Sequence, residues 1–372
     1  MEPCGTGVVT IGFGTGRKEA QVRLGLMGVA LLALLQIGTL HAQEAIPPAT
    51  GSVDAEGVRL EETVVVVGEQ PGPGMWIVRK DGNDLYLLGT LSPLPARMQW
   101  QTRQVDAVLA QAQEVIHLRG VALDVKVGFF RGMLLLPKLL GARKSPDGKH
   151  LRDLVTPESY ARWLMLKARD IGSDSGVERW RPLFAAQELY TEAMKKAGLS
   201  TRDVVWPVVE TGIKAHHPVV TVVSEPIVIT DPKPLLVEWS KTTLDDLACF
   251  NDTLAHIETD LGAMRARANA WATGDMAALR ALPPAYRWEA CSAAISEAGI
   301  GKRLGFGEVQ SRIDAKWLAA AETALGRNAV SFAPVPLGRL LGANGYLARL
   351  QAKGYTIIPP DADETDADDG AN

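Results

Sequence analysis

Few side chains in this sequence are spaced for chemistry. His216 and His217 are adjacent, and paired imidazoles suggest a metal. Neighbours on a strand point to opposite faces, and neighbours on a helix diverge by about 100°, so the two cannot easily share one ion. Solvated or helix-capping histidines are the simpler reading. His117, His150 and His256 stand alone, and no H-x-x-x-H or C-x-x-C occurs, so no zinc site is built from local ligands. A Gly-x-Ser-x-Gly elbow is also missing, which removes the ordinary α/β-hydrolase nucleophile. Ser92 remains, in Gly89-Thr90-Leu91-Ser92-Pro93-Leu94-Pro95, where the end of a strand presents side chains to a cleft. With no base placed beside it, a plain loop serine stiffened by prolines is the favoured reading. The run Gly12-Phe13-Gly14-Thr15-Gly16-Arg17-Lys18 suggests a phosphate loop, but its spacing fits neither the dinucleotide nor the Walker pattern.

The cysteines acquire meaning from the N-terminal segment. Leu24 to Leu35 is apolar without interruption, preceded by Arg17, Lys18 and Arg23 and followed by Thr39-Leu40-His41-Ala42-Gln43. That is the order of a secretory signal, with cleavage expected after Ala42 and a periplasmic or secreted product. An uncleaved anchor is the alternative, although polarity returns at Gln36, short of the roughly 20 residues a spanning helix needs. Export removes Cys4 and leaves Cys249 and Cys291 in an oxidising compartment. A disulfide is the economical reading, and two separate buried thiols are the other.

Positioning any site falls to the elements that follow. Residues 43–74 hold Pro47, Pro48, Pro71 and Pro73 and read as a linker with one possible edge strand, Thr63 to Val67. The folded domain is expected over 75–360. Trp76 to Val78, a turn at Asp81-Gly82-Asn83-Asp84, and Leu85 to Leu88 spell a hairpin that runs into Gly89-Thr90. Val105, Val108, Leu109 and Ala112 follow at helical spacing, and Val115-Ile116 opens another strand. Thr156-Pro157-Glu158 marks a helix start, and Pro182 to Lys196 a second helix. Val219 to Val223 suits a buried strand. Helices are expected from Leu244 to Leu282, from Ile313 to Leu325 and from Leu347 to Lys353, with Tyr355 to Ile358 as a closing strand. The series predicts an α/β (α+β) domain, a central β-sheet flanked by many helices.

Composition narrows the partners. At 372 residues and 47% apolar, the chain has ample material for a core. The net charge of −4 hides a cluster of six carboxylates between Asp361 and Asp369, and without it 37 acidic residues face 39 basic ones. No basic excess supports nucleic-acid binding. Residues 361–372 read as a disordered acidic tail.

Trp76-Ile77-Val78, Leu85-Tyr86-Leu87-Leu88-Gly89-Thr90 and Leu94-Pro95 resemble the opening of the TraB/GumN family, which includes the Tiki-type membrane metalloproteases and is similar in fold to the erythromycin-esterase group. Downstream, Ala270-Trp271-Ala272-Thr273-Gly274-Asp275 resembles that family's Trp-x-x-Gly-Asp helix. Gly326-Arg327-Asn328 is similar to its Arg-Asn segment. Gly342 to Leu347, with Lys353-Gly354-Tyr355-Thr356, resembles its closing helix and strand. The likeness spans about 75 to 360.

The resemblance implies a metal held by a Gly-x-x-His after the first hairpin, a carboxylate after the next helix, and a second Gly-x-x-His near the end. This chain carries Ser92 at the first His position, Leu118 at the carboxylate position, and Arg339 in Pro336-Leu337-Gly338-Arg339 at the second. Serine is a poor ligand for a divalent cation, leucine is none, and arginine's fixed charge opposes one. Glu225 stands near a further family carboxylate. The expectation is therefore a degenerate site without metal or cofactor, in an envelope protein that binds or scaffolds and whose partner is another envelope protein or a small anionic ligand. Two alternatives are a hydrolase built on Ser92 and Arg339, and a metallopeptidase that recruits His117, Glu114 or Glu225 instead.

Overall fold

Asp81 and Gly82 take left-handed backbone angles, φ 52° and 82°, and close a two-residue turn between β2 (Met75–Lys80) and β3 (Asn83–Thr90). Aspartate followed by glycine is the pair that pays least for those angles. The expected hairpin is present, but Asn83 and Asp84 belong to the strand, where the Asp84 carboxylate accepts from Arg79 Nε and Nη2 at 2.7 and 2.8 Å. In the computed structural model the described residues are 68–126, 135, 137–138, 141–282 and 289–360. The expected signal segment, the run Thr63 to Val67 and the acidic tail lie outside them.

The hairpin enters a six-stranded sheet of order β10-β2-β3-β9-β6-β8, completed by β6 (Glu114–Val125), β8 (Val219–Ile229), β9 (Val330–Pro336) and β10 (Thr356–Ile358). β3, β9, β6 and β8 run parallel, and β2 runs against its neighbours. Helices flank the sheet, so the α/β architecture is the one expected. Two short pairs lie apart from it: β1 (Gly68–Gln70) with β5 (Met98–Trp100), and β4 (Leu94–Pro95) with β7 (Leu199–Ser200). Ordered pairing thus begins at Gly68, inside the stretch assigned to the linker.

The core is built on Trp76, Trp163, Trp271 and Trp317, all at most 2% exposed, with Phe250 and Phe332 among them. Burial of each such side chain favours the fold by roughly 2–3 kcal/mol. The Pro157–Asp170 helix starts as its sequence predicts: Thr156 accepts the Ser159 amide at 3.2 Å and Pro157 takes the first turn. The Pro182–Lys196 helix buries Leu183, Ala186, Leu189, Tyr190 and Ala193 and packs on the Leu247–Thr259 helix. A disulfide joins Cys249 on that helix to Cys291 on the Glu289–Glu297 helix. Among the described residues, no helix is long and apolar enough to cross a membrane.

Two strands depart from expectation. Val219 to Val223 is not a buried strand: β8 is the last strand of the sheet, and Val219, Val220 and Val222 are exposed. β-Branched residues report a preference for pleated backbone, and the location of the strand in the sheet is set by long-range pairing. β9 went unpredicted because Pro334 and Pro336 argue against an interior strand. The sheet admits them because β6 pairs with β9 only at Ser331 and Phe332, so beyond Phe332 that side of β9 carries no ladder. The Trp206–His216 helix was also not anticipated.

Candidate functional site

The two loops expected to carry the site leave adjacent strands. Thr90 stands opposite Pro336 in the parallel β3–β9 pair, so the segments carrying Ser92 and Arg339 emerge side by side at the sheet's carboxyl end. Open α/β sheets bind ligands in that region, where the strand order switches. The loops also touch. A side chain added at Gly89 would collide with Leu337 and would come within 2.9 Å of Trp76. Glycine therefore lets the second loop lie directly over the start of the first. Trp271, from the Trp-x-x-Gly-Asp segment, donates its indole N–H to the Gly89 carbonyl at 2.7 Å and is itself fully buried. Asp275 of the same segment caps the Met276–Ala281 helix by accepting the Ala278 amide. These residues fix the strand end from which Ser92 departs.

Leu118 follows on β6, which meets β9 at Glu114↔Ser331 and Val115↔Phe332, three residues beyond Val115 toward the carboxyl end. Leu118 is half-buried against the apolar residues Ile227, Val309 and Ile313. It contributes packing where a carboxylate would bring charge.

Arg339 sits on the short Leu337–Leu340 helix just past β9 and turns into the protein. Its Nη2 donates to Gln310 Oε1 at 2.8 Å, and its Nη1 lies 3.6 Å from Asp314 Oδ1. That same oxygen accepts the Tyr346 hydroxyl at 2.6 Å and Gln310 Nε2 at 2.8 Å. Tyr346 stacks on Trp317 at 4.1 Å between ring centroids. Burial foremost, then the bond to Asp314, holds the Tyr346 phenol well above its ordinary pKa, so it stays a donor. Gln310, Asp314 and Trp317 were missed in the sequence. Their spacing along one face of the Phe306–Leu325 helix was the available signal, but the helix expected from Ile313 began too late to include Gln310. Ser92 is exposed and stands outside this network.

Glu225 does not join it. Its carboxylate is held by Arg312 Nε at 2.7 Å and Lys316 Nζ at 2.5 Å, which together keep it below the ordinary carboxylate range. Glu114 accepts from Asn328 Nδ2 at 2.7 Å and from Thr221, which gives the Arg-Asn segment a structural reason. Glu225 pairs with Val121, so along the strand it lies about 20 Å from Glu114 at the usual rise per residue. His117 has the opposite parity on β6 and stacks on Trp206 at 3.5 Å. The three groups proposed to recruit a metal therefore do not meet. His217 is the left-handed cap of the Trp206–His216 helix, φ 54°, which agrees with the capping reading.

The donor chemistry does not fit the metal that the resemblance implies. A serine hydroxyl, a leucine and a guanidinium occupy the three aligned positions, and the guanidinium is bonded to protein partners. Among the described residues, no three His, Cys, Asp or Glu side chains cluster as a metal-binding group. A family model described as TraB/PrgY/gumN family matches residues 74–359. No curated protein and no solved structure matches the chain.

Proposed function

Because the chain belongs to the TraB/PrgY/gumN family, we propose that it is an exported member that works without a metal, as a binding or scaffold protein of the cell envelope. The observation that carries this reading is the setting of Arg339. At the position of the second Gly-x-x-His, a guanidinium is bonded to Gln310 and faces Asp314. A fixed positive charge there opposes a divalent ion, and its Nη2 is already hydrogen-bonded to Gln310. Leu118, packed among Ile227, Val309 and Ile313, supports the same reading. Export rests on the basic, apolar and small-residue order from Arg17 to Ala42.

Asp314 also weighs on the choice of partner. A carboxylate or phosphate ligand would compete with it for the Arg339 fork, so a protein surface suits the site better than a small anion. A hydrolase using Ser92 and Arg339 has less support, since Ser92 is exposed and apart from the network that orients Arg339.

Metal analysis of the purified protein, with a peptide-hydrolysis screen, tests the reading. No stoichiometric zinc, manganese or cobalt is expected, and no chelator-sensitive hydrolysis. The variant Ser92→His, Leu118→Glu, Arg339→His should bind metal where the parent does not. Chelator-sensitive cleavage by the parent would overturn the proposal. N-terminal sequencing of the exported protein should begin at or near Gln43.

A further inference from the structure

β8 ends the sheet, and among the described residues its outer edge has no paired strand. The Val219 amide donates to the Gln113 carbonyl, and the Ile229 carbonyl accepts from Lys126. The one irregularity between these ends falls on β6, at Leu118/Gly120. Odd-numbered residues of β8 therefore turn their backbone toward β6, while Val220, Val222, Ser224, Pro226 and Val228 turn theirs outward. From Val220 onward side chains alternate in step: Val223 and Ile227, 4% and 5% exposed, are buried, whereas Val220, Val222 and Val228 are 38%, 48% and 51% exposed; Val219, at the start of the strand, is itself exposed. A long apolar edge of this kind is a template for another strand.

The prolines select the occupant and the register. Pro218 and Pro226 both fall in the outward set, at equal distance on either side of Val222, and neither has an N–H to give. A second β8 laid antiparallel about a two-fold axis through Val222 sets Val222 against its own copy, Val220 against Ser224, and Pro218 against Pro226. The prolines then mark both ends of the ladder, and every outward amide between them meets a carbonyl. Moving the axis to Ser224 would face Pro226 with Val222 and leave the Val222 carbonyl without a donor in both copies. The only charged side chain on β8 is Glu225, neutralised by Arg312 and Lys316, and in the Val222 register it opposes Val219. No like charges confront each other.

We propose that the chain pairs with a second copy of itself through β8, about a two-fold axis at Val222, so that the two sheets become one. The antiparallel pairing points the two Arg339 sites toward opposite ends of the dimer, and it holds whether or not those sites have lost their metal.

Light scattering on the purified full chain should give twice the mass of one chain. Val222→Lys and Val222→Glu each place like charges across the axis and should weaken association by at least about tenfold. Because Val222 is exposed and its amide points outward, both variants should keep the wild-type circular dichroism and melting temperature. Mixing them in equal amounts should restore the dimer through Lys–Glu pairs on the axis. A monomeric wild type would overturn the proposal. So would an unchanged dimer in both variants, or failure of the mixture to associate.

Discussion

Arg339 and Asp314 face each other at 3.6 Å, and the Asp314 oxygen involved also accepts the Tyr346 hydroxyl at 2.6 Å. This ion pair stands beside the carboxyl ends of β3 and β9, at the position that the family resemblance gives to a metal-binding histidine. The charge placed there is answered from within the protein.

That relationship predicts a structural role for Asp314. Asp314→Asn leaves the partly buried guanidinium facing a neutral amide and should cost about 2 kcal/mol, below the loss for a fully buried pair because both side chains retain some solvent. Tyr346→Phe removes one hydrogen bond and should cost about 1 kcal/mol. Urea denaturation of the single and double variants should give non-additive losses, since both changes act on one carboxylate oxygen. Additive losses would mean that the network is not coupled.

Gly89→Ala inserts a methyl between Leu337 and Trp76 at the junction of the two loops. Overpacking there should cost roughly 1–3 kcal/mol. Leu337→Ala frees space over Gly89, so in its background Gly89→Ala should cost less. A full, undiminished penalty in the double variant would show that Leu337 is not the obstacle.

His117 predicts an acid-side loss of stability. Burial foremost, then the positive charge of Arg119, lowers its pKa from 6.5 to about 4, against an opposing pull from Asp203. In the unfolded chain the ring protonates near its ordinary value, so its contribution is complete above about pH 6.5 and is lost as pH falls toward 4. Because the ring is only part-buried and solvent screens it, the loss over that range should stay below the full linkage value, on the order of 1–2 kcal/mol. His117→Phe keeps a ring on Trp206, and its stability should fall less over the same interval. An NMR titration placing the His117 pKa above 6 would rule this out.

The Cys249–Cys291 disulfide closes a loop with a sequence separation of 42. In the chain-entropy model such a closure is worth roughly 4 kcal/mol, so Cys249→Ala with Cys291→Ala should lower stability by about that amount. Unreduced mass spectrometry of the purified protein should find the two residues linked. Recovery of both as free, alkylated thiols would contradict the bond.

The sequence by itself determined what depends on near neighbours along the chain. Asp81-Gly82 closes the hairpin because those two residues tolerate positive φ at low cost. Thr156-Pro157 starts a helix because one supplies a cap and the other a preset φ. Gly89 and Trp271, two of the residues that carried the family resemblance, each meet a specific neighbour across the fold. Ser92, Leu118 and Arg339, at the positions the resemblance gives to metal ligands, were legible too, as residue types unsuited to a metal.

Only the tertiary structure decided what those residues face. Strand order in a parallel sheet is set by which distant segments pair. β9 thus lies between β3 and β6 despite Pro334, and the valines of β8 are on an open edge. Arg339 read alone is a free cation suited to an anion. It is Asp314 and Gln310, brought over by a helix that packs across the sheet, that turn it inward. A charge finds its partner through the packing of whole elements, and that packing is written in no single stretch of sequence.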